Sequence, residues 1–98
     1  MDRRLALDEV FRGITSNVYY QPPENLKLVY PCIVYELEQI EVFYGSNIPY
    51  AGYDRYSVTV IDRDPESTIT RQVAALPMCR HTQHFVSDNL HHDVFTIY

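Results

Sequence analysis

The sequence predicts an α+β fold, in which two helices pack on one face of a mostly antiparallel β-sheet in the order α-β-β-β-α-β-β. Three observations predict this class. Near the N-terminus, apolar residues recur at helical spacing. Two central segments alternate apolar and polar residues as strands do, and two β-prone segments lie at the C-terminus. The 98 residues have the length of a single domain, which we assign to residues 1–98.

The first element is a helix, predicted over residues 2–14. Its apolar residues recur at helical spacing and form one stripe: Leu7, Val10, Phe11 and Ile14. Asp2 can cap the start of this helix, and Gly13 lies near its end. A short strand is predicted over residues 17–20, and two consecutive prolines break regular structure after it because they remove backbone donors.

Two further strands follow from alternation. Residues 28–39 contain a strand that places Ile33, Tyr35 and Leu37 on one face. The other face carries Cys32, Val34, Glu36 and Glu38. Because Glu36 and Glu38 are charged, we expect them to face solvent or a lumen. Residues 56–62 form the clearest strand, with Val58 and Val60 on a shared face.

A second helix is predicted to start in the segment Asp62-Arg-Asp-Pro-Glu66. Asp64 is the expected N-cap, and Pro65 fits the first turn. Apolar residues at i, i+4 and i+7 should then pack on the sheet, and these are Ile69, Val73 and Leu76. Pro77 ends the helix because it disfavours a helical conformation at the preceding residue.

The last fourteen residues predict a β-hairpin. Two β-prone runs flank Ser87-Asp-Asn, and Asn and Asp favour turns because they tolerate left-handed dihedrals. The predicted buried core draws on the 56–62 strand, the second helix and the last strand: Val58, Val60, Ile69, Val73, Leu76, Phe95 and Ile97.

The segment between the two strongest strands, about residues 41–55, is long for a hairpin loop. It carries four aromatic residues, Phe43, Tyr44, Tyr50 and Tyr53. Disordered segments are usually poor in aromatics, so we expect a functional element. It is interpreted as an arm that docks on another subunit or partner; the alternative is a flap that covers the chain's own core.

Charge is unevenly distributed along the chain. The net charge is -5, and residues 31–66 carry seven acidic and two basic residues. This balance argues against binding to a phosphate backbone, which depends on Lys and Arg. No segment approaches the roughly 20 apolar residues of a membrane span. The N-terminus lacks the apolar run of a signal peptide, and the two cysteines suggest no disulfide framework, so we expect a protein made in the cytoplasm.

Four histidines gather near the C-terminus, at positions 81, 84, 91 and 92, with Cys79, Asp88 and Asp93 close in sequence. On a strand, His81 and His84 should point to opposite faces because three is an odd step, and His91 and His92 diverge for the same reason. This spacing disfavours a preformed metal cage. The sequence also lacks a nucleophile elbow and a glycine-rich phosphate loop, so no enzyme activity, metal or cofactor is predicted. A small metal protein or enzyme built on these histidines stays open as an alternative.

Two stretches carry a resemblance to a known family. The ending F-x-S-D-N-L-x-H-x-x-F-T-I-Y, after the Tyr30-Pro-Cys-Ile-Val-Tyr35 strand, resembles the small tail terminator or head–tail joining proteins of long-tailed bacteriophages. The resemblance covers about residues 15–98. It implies a virion protein assembled in the host cytoplasm, which forms a ring, usually of six copies, that ends the tail tube and offers a docking face to the head connector.

The resemblance also implies partners and surfaces. The expected partners are further copies of the chain, the tail tube protein and a head connector or head-closure protein, with DNA only passing through the lumen. Subunit or partner contact is expected at Phe43, Tyr44, Tyr50 and Tyr53. An acidic lumen wall or docking face is expected at Glu36, Glu38 and Glu41, because like charge discourages DNA from sticking. A head-closure protein or another neck adaptor remains an alternative.

Overall fold

Two helices and a mostly antiparallel five-stranded sheet make up the fold, which confirms the predicted α+β class and element order. The computed structural model describes residues 3–41, 44–45, 48–49 and 53–97. The helices are α1 (Arg3–Arg12) and α2 (Thr68–Ala74). The strands are β1 (Val18–Tyr20), β2 (Cys32–Glu41), β3 (Tyr44–Gly45), β4 (Ile48–Pro49), β5 (Tyr53–Asp62), β6 (Cys79–Ser87) and β7 (Leu90–Ile97).

The five-stranded sheet has the order β1-β2-β5-β7-β6, and β3 and β4 pair separately as a two-stranded sheet. Only β1 and β2 run parallel; the other neighbours in the large sheet are antiparallel. At the centre, Tyr35 of β2 lies opposite Val58 of β5, which lies opposite Phe95 of β7. Since neighbouring residues in register point to the same face, these three side chains form a row in the core.

The core lies between this sheet face and the two helices. One cluster joins α1, α2 and four strands: Leu7, Phe11, Val18, Ile33, Tyr35, Tyr56, Val58, Val60, Ile69, Val73, Phe95 and Ile97. Six of the seven predicted core residues are buried. The seventh, Leu76, follows the end of α2. It is only half-buried and packs against the edge of the cluster.

The apolar stripe of α1 is narrower than predicted. Leu7 and Phe11 are buried, but Val10 is 43% exposed. Residues at i and i+4 face the sheet together, whereas a residue one position earlier lies about 100° away around the helix. The helix ends at Arg12, two residues before the predicted bound, and the Gly13 N–H bonds the carbonyls of Glu9 and Val10 in its last turn. The predicted cap, Asp2, lies outside the described residues.

Asp64 does not cap α2, which corrects the sequence prediction. Its carboxylate accepts from the N–H of Glu66, two residues on, at 2.9 Å, and so stabilises a turn before the helix. The N-cap is Ser67, whose Oγ accepts from the N–H of Thr70 at 3.4 Å. The helix therefore begins at Thr68, one turn later than predicted.

The terminal hairpin is confirmed. β6 and β7 are joined by Asp88 and Asn89, and Ser87 pairs with Leu90. Both loop residues have positive φ, at 52° and 62°. This is the geometry of a type I′ turn, whose twist matches that of the flanking strands.

The turn yields a prediction about Asn89. Replacement by valine should lower the free energy of unfolding by about 1–2 kcal/mol, since a β-branched residue fits left-handed backbone poorly. Replacement by glycine should preserve or raise stability because glycine adopts this conformation without strain. Urea denaturation of the two variants beside the wild type measures the difference; equal midpoints for all three proteins would contradict the turn assignment.

Candidate functional site

A two-stranded ribbon extends beyond the large sheet. Among the described residues, the pairing of β1 with β2 ends at Tyr35, and that of β7 with β5 ends at Tyr56. β2 and β5 stay paired beyond these points, through a register shift between Leu37 and Gln39, as far as Glu41 and Tyr53. We call residues 36–41 of β2 and 53–55 of β5 the ribbon. The molecule is correspondingly long, at 51 × 23 × 23 Å, with a radius of gyration of 14.7 Å against about 13 Å for a compact domain of this size.

The predicted arm coincides with the ribbon and its continuation. The segment is not the irregular loop that the sequence suggested, because the β2–β5 ladder extends into it and β3 pairs with β4 further on. Tyr44 begins β3 and Tyr53 begins β5. Phe43 and Tyr50 lie outside the described residues. The docking role of this arm stays a prediction, as does the alternative of a flap over the core.

Two of the three acidic residues of β2, Glu36 and Glu38, lie where alternation placed them. Glu36 and Glu38 are exposed, on the sheet face opposite Ile33 and Tyr35. The carboxylate of Glu38 lies 3.5 Å from Nε of Arg55, across the ladder on β5. Glu41 is the last residue of β2. The ribbon carries four acidic residues and one basic residue, and so it forms a negatively charged projection.

The opposite edge of the sheet is β6. It pairs with β7 on one side, and within the described ranges no strand pairs with its other side. All but its first residue are exposed, including Phe85 at 38% and Val86 at 57%. An edge of this kind presents unpaired backbone donors and acceptors, which can bind a further strand.

A β-bulge in β6 overturns the prediction that His81 and His84 diverge. The register shifts between His81 and Gln83, which adds one residue to the strand, and the Thr82 hydroxyl donates to the Val94 carbonyl at 3.0 Å. The extra residue makes the step between the two histidines even. Both rings therefore lie on the helix-facing side of the sheet.

The imidazoles of His81 and His84 both form hydrogen bonds with the carboxylate of Asp93. Oδ1 of Asp93 lies 3.0 Å from Nε2 of His81 and 2.8 Å from Nδ1 of His84. Oδ2 accepts from the hydroxyl of Thr70 on α2 at 3.3 Å. Burial on its own would raise the pKa of Asp93, but the hydrogen bonds and charge of the two histidines outweigh it, and the pKa lies below its usual value. Asp93 thus joins α2, β6 and β7.

A groove runs between α2 and β6 beside this cluster. Its volume is about 540 Å³, and its helix wall includes Thr70, Arg71, Ala74 and Ala75. His81, His84 and Asp93 form the strand wall, and Glu66 also lines the groove. The small alanine side chains leave room between helix and strand for side chains that enter from the free edge.

The remaining histidines occupy both faces of the hairpin. The His91 ring stacks on His84 with centroids 5.8 Å apart, and the His92 ring stacks on Phe85 at 4.6 Å. His91 and His92 therefore diverge as predicted. Among the side chains that the structure describes, no group of three or more His, Cys, Asp or Glu residues is arranged to hold a metal ion.

The two cysteines and Tyr35, the buried tyrosine of β2, have raised pKa values and are not placed for acid–base or nucleophilic chemistry. Cys32 and Cys79 are both free thiols; burial raises both pKa values, that of Cys32 to about 11. Burial, together with the bond from the Tyr35 hydroxyl to Asp8 at 2.6 Å, raises the pKa of Tyr35 to about 12. These three groups stay protonated at neutral pH, so they serve packing and hydrogen bonding.

The structure thus presents two distinct surfaces, the acidic ribbon and the open β6 edge with its groove. Sequence reasoning found the ribbon and missed the groove, because the bulge that aligns His81 with His84 has no local sequence signal. No helix among residues 3–12 and 68–74 is long and apolar enough to cross a membrane. No protein-family model, curated protein or solved structure gives a significant match to the chain.

Proposed function

We propose that this chain is a structural subunit of the neck or tail of a long-tailed bacteriophage. Copies of it assemble into a ring, of six by the family resemblance, that ends the tail tube and offers a docking face to the head connector. The observation that carries the proposal is the ribbon: a 98-residue chain extends part of its sheet outward, where it is available to a neighbour. Small domains commonly gain stability by such association.

The two surfaces suit a ring because they differ. The ribbon and the β6 edge involve opposite sides of the sheet order, with β5 and β7 between β2 and β6. A contact between unlike surfaces is heterologous, and it closes into a ring when the rotation from copy to copy closes. Each copy then uses both surfaces and leaves no edge open to uncontrolled pairing.

The acidic face of β2 fits the same role. In a ring around passing DNA, Glu36, Glu38 and Glu41 would line the lumen or meet a partner, and their negative charge would repel the phosphate backbone. Glu36 and Glu38 are exposed, as this role needs. A head-closure protein would use the same surfaces, with a different virion protein on each face.

A metal protein or enzyme is the alternative of another class. The observation in its favour is the convergence of His81 and His84 on Asp93. However, both imidazole nitrogens that face the carboxylate are already hydrogen-bonded to it. Elemental analysis of the purified protein separates the classes, because a metal protein would carry about one metal ion per chain.

The proposed ring is tested by mass. Light scattering should give a species of about 69 kDa, six times the 11.5 kDa chain, either alone or on addition of the phage's tail tube protein. In electron micrographs this species should cap tube ends and stop tube growth. A protein that stays monomeric with the tube protein present and leaves tube growth unchanged would contradict the proposal.

A further inference from the structure

We propose that the groove between α2 and β6 receives the ribbon of a second copy, which adds as a strand to the open β6 edge. This inference rests on the proposed function, since it names the contact by which neighbouring copies would join. Strand addition of this kind takes its affinity from backbone hydrogen bonds and its specificity from side chains that enter flanking pockets.

The backbone of β6 is suited to accept a strand. After the bulge, residues 83–87 pair regularly with β7 and contain no proline, lysine or acidic residue. These are among the features that proteins use to protect an edge, together with bulges. The protected part of β6 is therefore the bulge near Thr82, and the part toward the hairpin turn is open.

The ribbon is suited to supply that strand. From Glu36 to Glu41, β2 has no strand partner on the β1 side among the described residues, and the side chain of Gln21 bonds the N–H of Leu37 there. A register shift between Leu37 and Gln39 leaves Glu38 out of the β2–β5 ladder, and the other five residues of this span match the five open residues of β6 in number. Its projection beyond the sheet lets it reach a neighbour without disturbing the core.

The charged residues of α2 and β6 favour the ribbon as the strand that occupies the groove. Residues 67–87, which build α2 and β6, contain no acidic residue and carry two basic residues, Arg71 and Arg80. The nearest carboxylate on the strand wall, Asp93, already accepts three hydrogen bonds. Arg71 and Glu66 both line the groove, and Arg80 lies on the other face of β6, before the bulge. An added strand therefore meets Arg71 on its groove side and Arg80 at the bulge end of its other side.

The same charges disfavour the obvious rival contact. If β6 paired in parallel and in register with β6 of another copy, Arg80 would lie opposite its own counterpart. Like charges directly opposite each other destabilise a strand pair. The ribbon, with four acidic residues and one basic residue, provides the complement instead.

Two charge-reversal variants test the contact. The groove variant carries Arg71→Glu and Arg80→Glu; the ribbon variant carries Glu36→Arg and Glu41→Arg. Glu38 stays unchanged because it pairs with Arg55. In each variant alone, the ribbon and the groove would carry charge of the same sign. Self-association should therefore weaken by about tenfold or more. In an equimolar mixture each acidic groove meets a basic ribbon and each basic groove meets an acidic ribbon, so assembly should return.

A control variant, Lys27→Glu with Arg63→Glu, makes the same charge change as the groove variant at exposed positions outside the groove and should assemble like the wild type. Circular dichroism checks that every variant folds. Hydrogen exchange should slow at residues 83–87 and 36–41 of the wild type on assembly. A wild-type ring whose variants also assemble, or whose mixture fails to, would overturn the docking contact alone. A wild type that never assembles would overturn the proposed function with it.

Discussion

Replacing Phe95 by alanine should lower the free energy of unfolding by about 3–5 kcal/mol, the usual cost of deleting a buried phenylalanine ring. Phe95 is fully buried on β7, opposite Val58, and its ring meets that of His81 edge-on at 5.1 Å. A domain of this length is stable by only about 5–15 kcal/mol. The variant should therefore be largely unfolded under mild denaturing conditions.

Equilibrium unfolding in urea, followed by circular dichroism at one pH, measures this cost. Val86→Ala is the matched control, since Val86 lies on the neighbouring strand β6 but is 57% exposed. It should change the free energy of unfolding by less than about 0.5 kcal/mol. If Phe95→Ala proved as mild as the control, β7 would not lie in the centre of the sheet.

The elements with strong local signals could be predicted from the sequence. Alternation fixed the faces of β2 and β5, because one face of each strand is buried and a slip of one residue would expose it. Asp88 and Asn89 marked the terminal turn, since both tolerate the positive φ that it requires. The N-cap was predictable in principle: Ser67 directly precedes the helix, and serine caps as well as aspartate.

What could not be predicted depends on contacts between distant segments. The parallel pairing of β1 with β2 joins residues 15 positions apart, and nothing in three residues specifies it. Within the described ranges, the ribbon is the part of the β2–β5 ladder that lies beyond the pairings with β1 and β7, and so it depends on four strands. The bulge depends on the match between β6 and β7, and it alone turns His81 toward Asp93.

The second prediction with a large effect concerns Asp93. Asp93→Leu should lower the free energy of unfolding at neutral pH by about 1–3 kcal/mol, because His81, His84 and Thr70 lose a shared acceptor in a partly buried position. The side chain of Asp93 is only 14% exposed, so water replaces that acceptor poorly. Urea unfolding at pH 7 gives the value directly.

The way stability changes at acid pH distinguishes the hydrogen bonds of Asp93 from the packing of its side chain. The pKa of Asp93 in the folded protein lies below its usual value, so its stabilisation is present above the usual aspartate pKa and is lost as the pH falls through the lower, folded value. Asp8, held by Tyr35 and Arg12, also has a lowered pKa and adds a second loss in the same range. Wild-type stability should therefore fall between about pH 5 and pH 2.

Two variants test this. The stability of Asp93→Asn, whose side chain cannot titrate, should fall less steeply over that range. The stability of Glu24→Gln, in an exposed turn before β2, should follow that of the wild type. Parallel curves for the wild type and Asp93→Asn would show that the carboxylate does not stabilise the junction of α2, β6 and β7.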